Sequence, residues 1–252
     1  MFRDKISSTA SCLPVPMTPF PLDEARRLAR ALARALAMRR PRIHVLTNPV
    51  AQALSAQALA ALGAEPSMSA HPRDILALAR GADAILVNLG MLEPAREAAI
   101  EALLAEGAAL ATPVVLDPVM ADRVPFRRQL AERFSPFPRL LVKGNAAEMA
   151  ALRGAFPAGT VLVTTGGTDH VEGSAACEIT GGHPLMARFS GSGCLAGAVI
   201  AAFASVEPEP ARAAAAALTA LRHAAAEAGA AAQGPGTFVP LLLDSLARFS
   251  EG

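Results

Sequence analysis

The residues with the clearest chemical potential are Ser190-Gly191-Ser192-Gly193-Cys194, set just ahead of an apolar helix pattern. Glycines at this spacing let backbone N–H groups point into one space, and the positive end of the helix follows at once. That combination binds anions, phosphate oxygens above all. Other readings of the segment exist. Gly191, Gly193 and Ala196 satisfy a loose dinucleotide fingerprint, but the later strand ending in an acid is missing: Glu207-Pro208-Glu209-Pro210 and another helix follow. No lysine follows the glycines as in a Walker loop. A glycine turn serving only tight helix packing against Ala198, Ala201 and Ala202 stays open as the bland alternative. Cys194 is either a small buried hydrophobe or a thiol whose pKa the helix field lowers. A cysteine hydrolase would need a histidine beside it, and His183, which precedes a proline, reads as a turn residue.

A second set of polar residues lies where short apolar runs stop: Thr47-Asn48, Asn88-Leu89-Gly90, Asp117-Pro118, Lys143-Gly144-Asn145 and Thr165-Gly166. The runs before them, such as Ile43–Leu46, Ala84–Asn88, Val114–Leu116, Leu140–Val142 and Val161–Thr164, read as strands. Helical patterns lie between several of them, at 51–62, 94–106 and after Asn145, with a first helix from Asp23. Strands alternating with helices imply a mostly parallel sheet covered by helices, an α/β fold of three layers, α/β/α. In such a sheet ligands bind beyond the carboxyl ends of the strands, so these polar ends point to a small-molecule site. After Gly166 the pattern changes to short antiparallel strands over 170–174, 175–179 and 183–189. Helices over 193–206 and 209–231 follow, and a last one over 239–249 comes after Gly234-Pro235-Gly236. Residues 1–21 read as a flexible leader and 22–252 as one domain.

Composition narrows the classes. Hydrophobic residues make up 52% and charged residues 18%, which suits a filled globular core. Net charge is +1 and neither Trp nor Tyr occurs, so nothing points to nucleic acid. No apolar stretch is long enough for a membrane span and no signal peptide is evident, which together suggest a cytoplasmic protein. Three widely separated cysteines, Cys12, Cys177 and Cys194, imply neither a disulfide framework nor a zinc site.

Taken with their order, these segments resemble a known family. Gly191–Cys194 with its helix is similar to the anion-hole segment of ribokinase-like small-molecule kinases, and Asn145-Ala146-Ala147-Glu148 to their Asn-x-x-Glu motif. The segments His44–Asn48, Ala61–Met68, Val114–Val119 with Arg127, Lys143–Glu148, Gly182–Cys194 and Gly234–Phe238 resemble hydroxyethylthiazole kinase in order and content. The resemblance implies ATP-dependent phosphorylation of a thiazole alcohol in thiamine salvage, with magnesium. It implies a homotrimer with sites between subunits. Residue by residue, it implies that Met68, Asn48 and Gly191 contact the thiazole. Arg127, Thr165, Lys143 and Asn145 would meet ATP, and Glu148 with Asp117 would organise the metal. Cys194, with Gly191 and Gly193, would form the catalytic segment.

Departures from the family pattern are visible too. Lys143 stands where arginine is usual, and lysine loses the planar fork for bidentate phosphate contact. Met120 replaces a glycine, making an Asp-Pro-Val-Met that is similar instead to hydroxymethylpyrimidine and pyridoxal kinases. The segment from Glu148 to Val161 is short, near the minimum for a parallel crossover. Against the longer segment of the family this implies loss of a nucleotide-side helix, which leaves a ligand-binding regulatory protein without turnover as a further alternative.

Overall fold

The structure is a computed structural model that describes residues 18–251. Its strands are β1 (Thr18–Pro19), β2 (Arg42–Leu46), β3 (Glu65–Ser67), β4 (Ala84–Asn88), β5 (Val114–Asp117), β6 (Leu140–Asn145), β7 (Val161–Thr165), β8 (Asp169–Glu172) and β9 (Ala175–Ile179). Its α-helices are α1 (Leu22–Arg39), α2 (Pro49–Ala61), α3 (Ile75–Gly81), α4 (Pro94–Glu106), α5 (Pro125–Glu132), α6 (Ala146–Ala151), α7 (Ser192–Ala204), α8 (Pro210–Ala231) and α9 (Pro235–Glu251).

The strands form one sheet in the order β1-β9-β8-β7-β6-β5-β4-β2-β3. From β3 across to β7 every neighbouring pair is parallel, and β7-β8-β9 are antiparallel. Side chains alternate between faces with the two-residue period of a strand. Val45, Leu86, Val115 and Leu141 join one core, while Leu46, Ile85, Leu116 and Val142 join the other. Helices α1, α2, α7, α8 and α9 cover the first face, and α3, α4 and α5 the second. This is the three-layer α/β/α arrangement with helices on both faces.

Alanine makes the first layer possible. In α8, Ala211 and the run Ala213–Ala217 are buried all round the helix, between α7, α1 and α9. Small side chains allow backbones to approach closely without leaving voids. Among the described residues no helix is long and apolar enough to cross a membrane.

Several elements differ from the sequence reading. Most of the expected leader lies outside the described residues, as does Cys12. Its last part is corrected: Thr18–Pro19 pairs in parallel with Ala175–Ala176 of β9, and Phe20 is buried under the Arg212 guanidinium. The strand expected over 183–189 is instead a 3-10 helix, Pro184–Arg188, started by the His183 side chain accepting from the Leu185 N–H. Helix α9 begins at Pro235, inside the expected turn, because proline is well tolerated in a first helical turn. Elements β3, α3 and α5 are short and were not apparent from periodicity. The only helix in the crossover from β6 to β7 is the six-residue α6.

One titratable side chain is caught in the second layer. His44 on β2 is fully buried, its Nδ1 lies 2.8 Å from Ser67 Oγ on β3, and its Nε2 has no partner. Burial pushes its pKa down to about 4, against a weaker upward effect from the Ser69 backbone. The ring is neutral in the fold but charges near pH 6.5 once unfolded. Stability is therefore complete above that pH and is lost as pH falls toward about 4. The loss amounts to roughly 3 kcal/mol at most. Urea unfolding at pH 7 and pH 4.5 checks this: His44→Gln should flatten the difference, and an unchanged difference would show that other groups cause it.

Candidate active site

The chain order reverses direction in the sheet between β2 and β4. Strand β3 lies beyond β2 on one side, whereas β4 to β7 run away on the other. Such a switch point opens a crevice beyond the strand ends. Here the crevice is bridged by side chains. Asn48, two residues beyond β2 and the cap of α2, donates from Nδ2 to Asn88 Oδ1 at 3.1 Å. Asn88, the last residue of β4, donates in turn to Asp117 Oδ2 at 2.9 Å, at the end of β5. Both amides have a fixed orientation, since Asn48 Oδ1 accepts from the Ala51 N–H and Asn88 Oδ1 from the Gly90 N–H.

Lys143 on β6 completes the line. Its ammonium sits 3.2 Å from Asp117 Oδ2 and donates to the Gly193 carbonyl at 3.0 Å. Both charged side chains are buried, at 4% and 2% exposure, so this pair is shielded from water rather than placed on a surface. Burial pulls the Lys143 pKa down, but Asp117, with Cys194 and Glu148 behind it, outweighs that and the net shift is upward. Lys143 therefore stays charged as a counter-ion inside the site. In this structure its partners are Asp117 and the Gly193 carbonyl at the start of α7.

Helix α7 enters this network from above. Gly191 caps it at φ 89°, a left-handed conformation in which glycine alone is unstrained. The first N–H groups of a helix have no intrahelical acceptor, so those of this turn are free to meet an anion. Cys194 Sγ lies 3.2 Å from Asn88 Nδ2 and 3.5 Å from Asn48 Nδ2. Burial raises its pKa, as does Asp117, while Lys143 and the two asparagines pull it back only in part. The net shift is upward, opposite in direction to the lowering expected for a thiol at a helix start.

On the other side of the same helix turn is a cavity of about 470 Å³, lined by Thr165, Ser192, Gly193, Met186, Leu218 and Arg222 among others. Its walls include the turn after β7 and the Gly181–Gly182 loop. Gly193 faces both this cavity and Lys143.

A third group lies beside α6. Asn145 and Glu148 form a capping box: Asn145 Oδ1 accepts the Ala147 and Glu148 N–H groups, and Glu148 Oε2 accepts the Asn145 N–H at 2.8 Å. Glu148 Oε1 takes the Met120 N–H at 2.8 Å. Met120 has φ 64°, which explains why a glycine suits this position and shows what holds the methionine there. Arg127 on α5 donates to the Val119 carbonyl of the same loop.

Of the four side chains expected at ATP, Thr165 lines the cavity, whereas Arg127, Asn145 and Lys143 do not. Met68 follows β3 at the sheet edge, half-buried against the core and apart from the polar network. Asn88 is the hub that the strand-end pattern included without singling out. Arg96 on α4 was not foreseen. It is buried, holds the Gly90 carbonyl through Nη2, and leaves Nε and Nη1 unpaired. Burial pushes its pKa down, partly offset by Glu93 and assisted by Arg127. Asp117 engages both Lys143 and Asn88 through Oδ2, and among the described residues no group of three or more His, Cys, Asp or Glu side chains could hold a metal ion. Glu148 fits better, because each oxygen accepts one backbone N–H and keeps a lone pair.

Comparison with known proteins agrees with this geometry. The sequence model of the hydroxyethylthiazole kinase family matches residues 33–156 and 153–252. A hydroxyethylthiazole kinase of Granulibacter bethesdensis is 37% identical, covering 91% of this chain and 94% of its own. The solved hydroxyethylthiazole kinase of Pyrococcus horikoshii superposes with a TM-score of 0.81 at 31% identity, over 88% of this chain and 93% of that one. A ribokinase-like superfamily protein of Enterococcus faecalis, 14% identical, shares the fold with a TM-score of 0.60 over 94% and 93%.

A raised thiol pKa has a direct consequence. Alkylation of Cys194 by iodoacetamide should be slow at neutral pH and keep rising into the alkaline range, because only the thiolate reacts. Measured against a Cys194→Ala control by intact mass, a rate that already plateaus at neutral pH would show a stabilised thiolate instead.

Proposed function

The chain belongs to the hydroxyethylthiazole kinase family, and on that premise we propose that it transfers the γ-phosphoryl group of ATP to the hydroxyethyl oxygen of 4-methyl-5-(2-hydroxyethyl)thiazole. The observation that carries this reading is the position of the α7 N-terminus. One turn of free amides stands between a cavity of nucleotide size and a polar crevice holding Asn48, Asn88 and Cys194. A phosphoryl group leaving one compartment for the other passes over those amides.

The geometry supports a division of labour. The nucleotide would occupy the cavity beside Thr165, its phosphates reaching Gly191–Cys194 and the Arg127 side of the α5 loop. The thiazole alcohol would lie at the crevice near Asn48 and Gly191. Its oxygen attacks phosphorus as the bond to ADP breaks. Phosphoryl transfer through a loose transition state is mostly positioning and charge neutralisation, and the hydroxyl proton leaves late, to an oxygen of the transferred phosphoryl group and from there to solvent. A Cys194 thiol kept neutral by burial orients the hydroxyl rather than ionising beforehand. Lys143 acts at one remove, fixing the Gly193 carbonyl so that the neighbouring amides face the phosphoryl. Magnesium, when bound with the nucleotide, supplies neutralisation of phosphate charge, and Glu148 would hold it through its water shell.

Met68 fits this scheme through a second copy of the chain. It stands at the sheet edge, and the exposed Val50, Met91, Met120 and Phe126 follow the ends of β2, β4 and β5 around the same mouth. A homotrimer would cover such a rim and bring Met68 to a neighbour's thiazole. Sedimentation equilibrium should return three times the chain mass; a monomer at assay concentration would remove this arrangement.

Release of ADP, followed by a coupled assay over a panel of thiazole, pyrimidine and pyridoxal alcohols, tests the reaction. Turnover should be highest with the thiazole alcohol, and Arg127→Ala should raise the ATP concentration needed about ten-fold, as loss of a charged contact predicts. Thiazole binding without ADP release would instead favour a regulatory protein.

A further inference from the structure

Arg222 lies on α8, far from the motifs in sequence, and its guanidinium reaches the rim of the cavity. Nε and Nη2 grip Asp169 at 2.7 and 2.6 Å as a two-point fork. Nη2 also donates to the Gly166 carbonyl at 2.6 Å. Nη1 donates to the carbonyls of Gly167 at 3.0 Å and Gly181 at 2.7 Å. An arginine has five N–H bonds to give, and all are used by these contacts.

That accounting decides what Arg222 can do. Although it lines the cavity, it has no donor left for a phosphate, so it cannot be a ligand of the nucleotide in this conformation. What it does is tie the turn after β7, Asp169 at the start of β8 and the glycine loop after β9 to one point, beyond the last rungs of the β7-β8-β9 ladder. The turn after β7 is Gly166-Gly167, and the opposite wall is Gly181-Gly182, with φ of 94° and 82°. Glycine backbones are the most costly to order, and these carry no side chains to pack. Asp169 secures the first turn itself, accepting the Gly166 N–H at 3.0 Å. Its pairing with Arg222 is sheltered, with side-chain exposures of 5% and 17%, so water competes little for the fork.

We propose that Arg222 is a positioning residue for the nucleotide: with Asp169 it locks the two glycine turns at the spacing the cavity requires. The inference rests on the cavity being the ATP site. It predicts a one-sided effect, because the thiazole crevice lies across α7 and receives none of these hydrogen bonds.

The experiment compares the full-length protein with Arg222→Met and Arg222→Lys, by steady-state kinetics and by calorimetric titration of ADP and, separately, of the thiazole alcohol. Arg222→Met should raise the KM for ATP and the Kd for ADP by about ten-fold or more, leaving kcat at saturating ATP and thiazole affinity within about two-fold. Lysine, which can keep one contact but not the fork, should fall between. Equal ADP affinity in Arg222→Met and wild type overturns the proposal, as does a parallel loss of ADP and thiazole binding, the mark of general structural damage. If Arg222→Met does not fold, Asp169→Asn, which keeps the shape and removes the charge, must show the same selective loss of ADP. Wild-type protein that binds no ADP would overturn the nucleotide assignment of the cavity together with this inference. Wild type that binds ADP normally, beside unaffected variants, would sink the Arg222 role alone.

Discussion

Everything at the mouth of the sheet depends on one buried ion pair, Lys143 with Asp117. A lone ammonium on a central strand could not remain charged there, and a lone carboxylate at the end of β5 would be equally costly. Together, and with Asn88 on the carboxylate and the Gly193 carbonyl on the ammonium, each charge has an opposite partner and a further hydrogen bond. Removing one partner of such a pair typically costs about 3–5 kcal/mol, since the other is left buried and uncompensated. The pair also carries geometric information. Through Asn88 and Asn48 it ties the ends of β5, β4 and β2 into one line, and through Gly193 it ties that line to helix α7.

The consequence is a site divided by a helix turn. On one side lie a cysteine and two asparagines in a sheltered crevice, and on the other a cavity with mostly apolar walls. The amides of α7 belong to both. Such an arrangement suits group transfer between two bound molecules, because each can be recognised by different chemistry while the moving group meets fixed donors that need no reorganisation. In the proposed reaction the thiol need not be strongly reactive, since it would orient the hydroxyl while the backbone and nearby cations meet the charge.

The arginines of the site divide along the same line. Arg222 is saturated with acceptors, which makes it a brace. Arg127 has a single partner in the Val119 carbonyl and is half-exposed, which leaves it able to meet an anion. Arg96 is the costly one, buried beneath the loop after β4 with two N–H groups unpaired. It grips the Gly90 carbonyl, and Gly90 in turn fixes the Asn88 amide, so the cost is borne next to the hub of the network. Met120 shows the same economy in the backbone, a left-handed residue held by the Glu148 carboxylate that also closes the cap of α6.

Much of this could be read in the residues alone. Two-residue alternation in the apolar runs, helices between them and polar residues at each strand end are local signals, and they established the layered sheet and the edge where ligands collect. The Ser190–Cys194 loop and the Asn145–Glu148 cap are equally local, each complete within a few residues. What the sequence could not settle were choices made by register and strand order. That Lys143 meets Asp117 depends on β5 lying beside β6. Whether Cys194 is raised or lowered depends on how deeply α7 is set against Asn48 and Asn88. Arg222 and Asp169 stand 53 positions apart with no pattern to connect them. Short-range chemistry wrote the parts, but burial and long-range pairing, which exist only once the chain is folded, assigned each charge its partner.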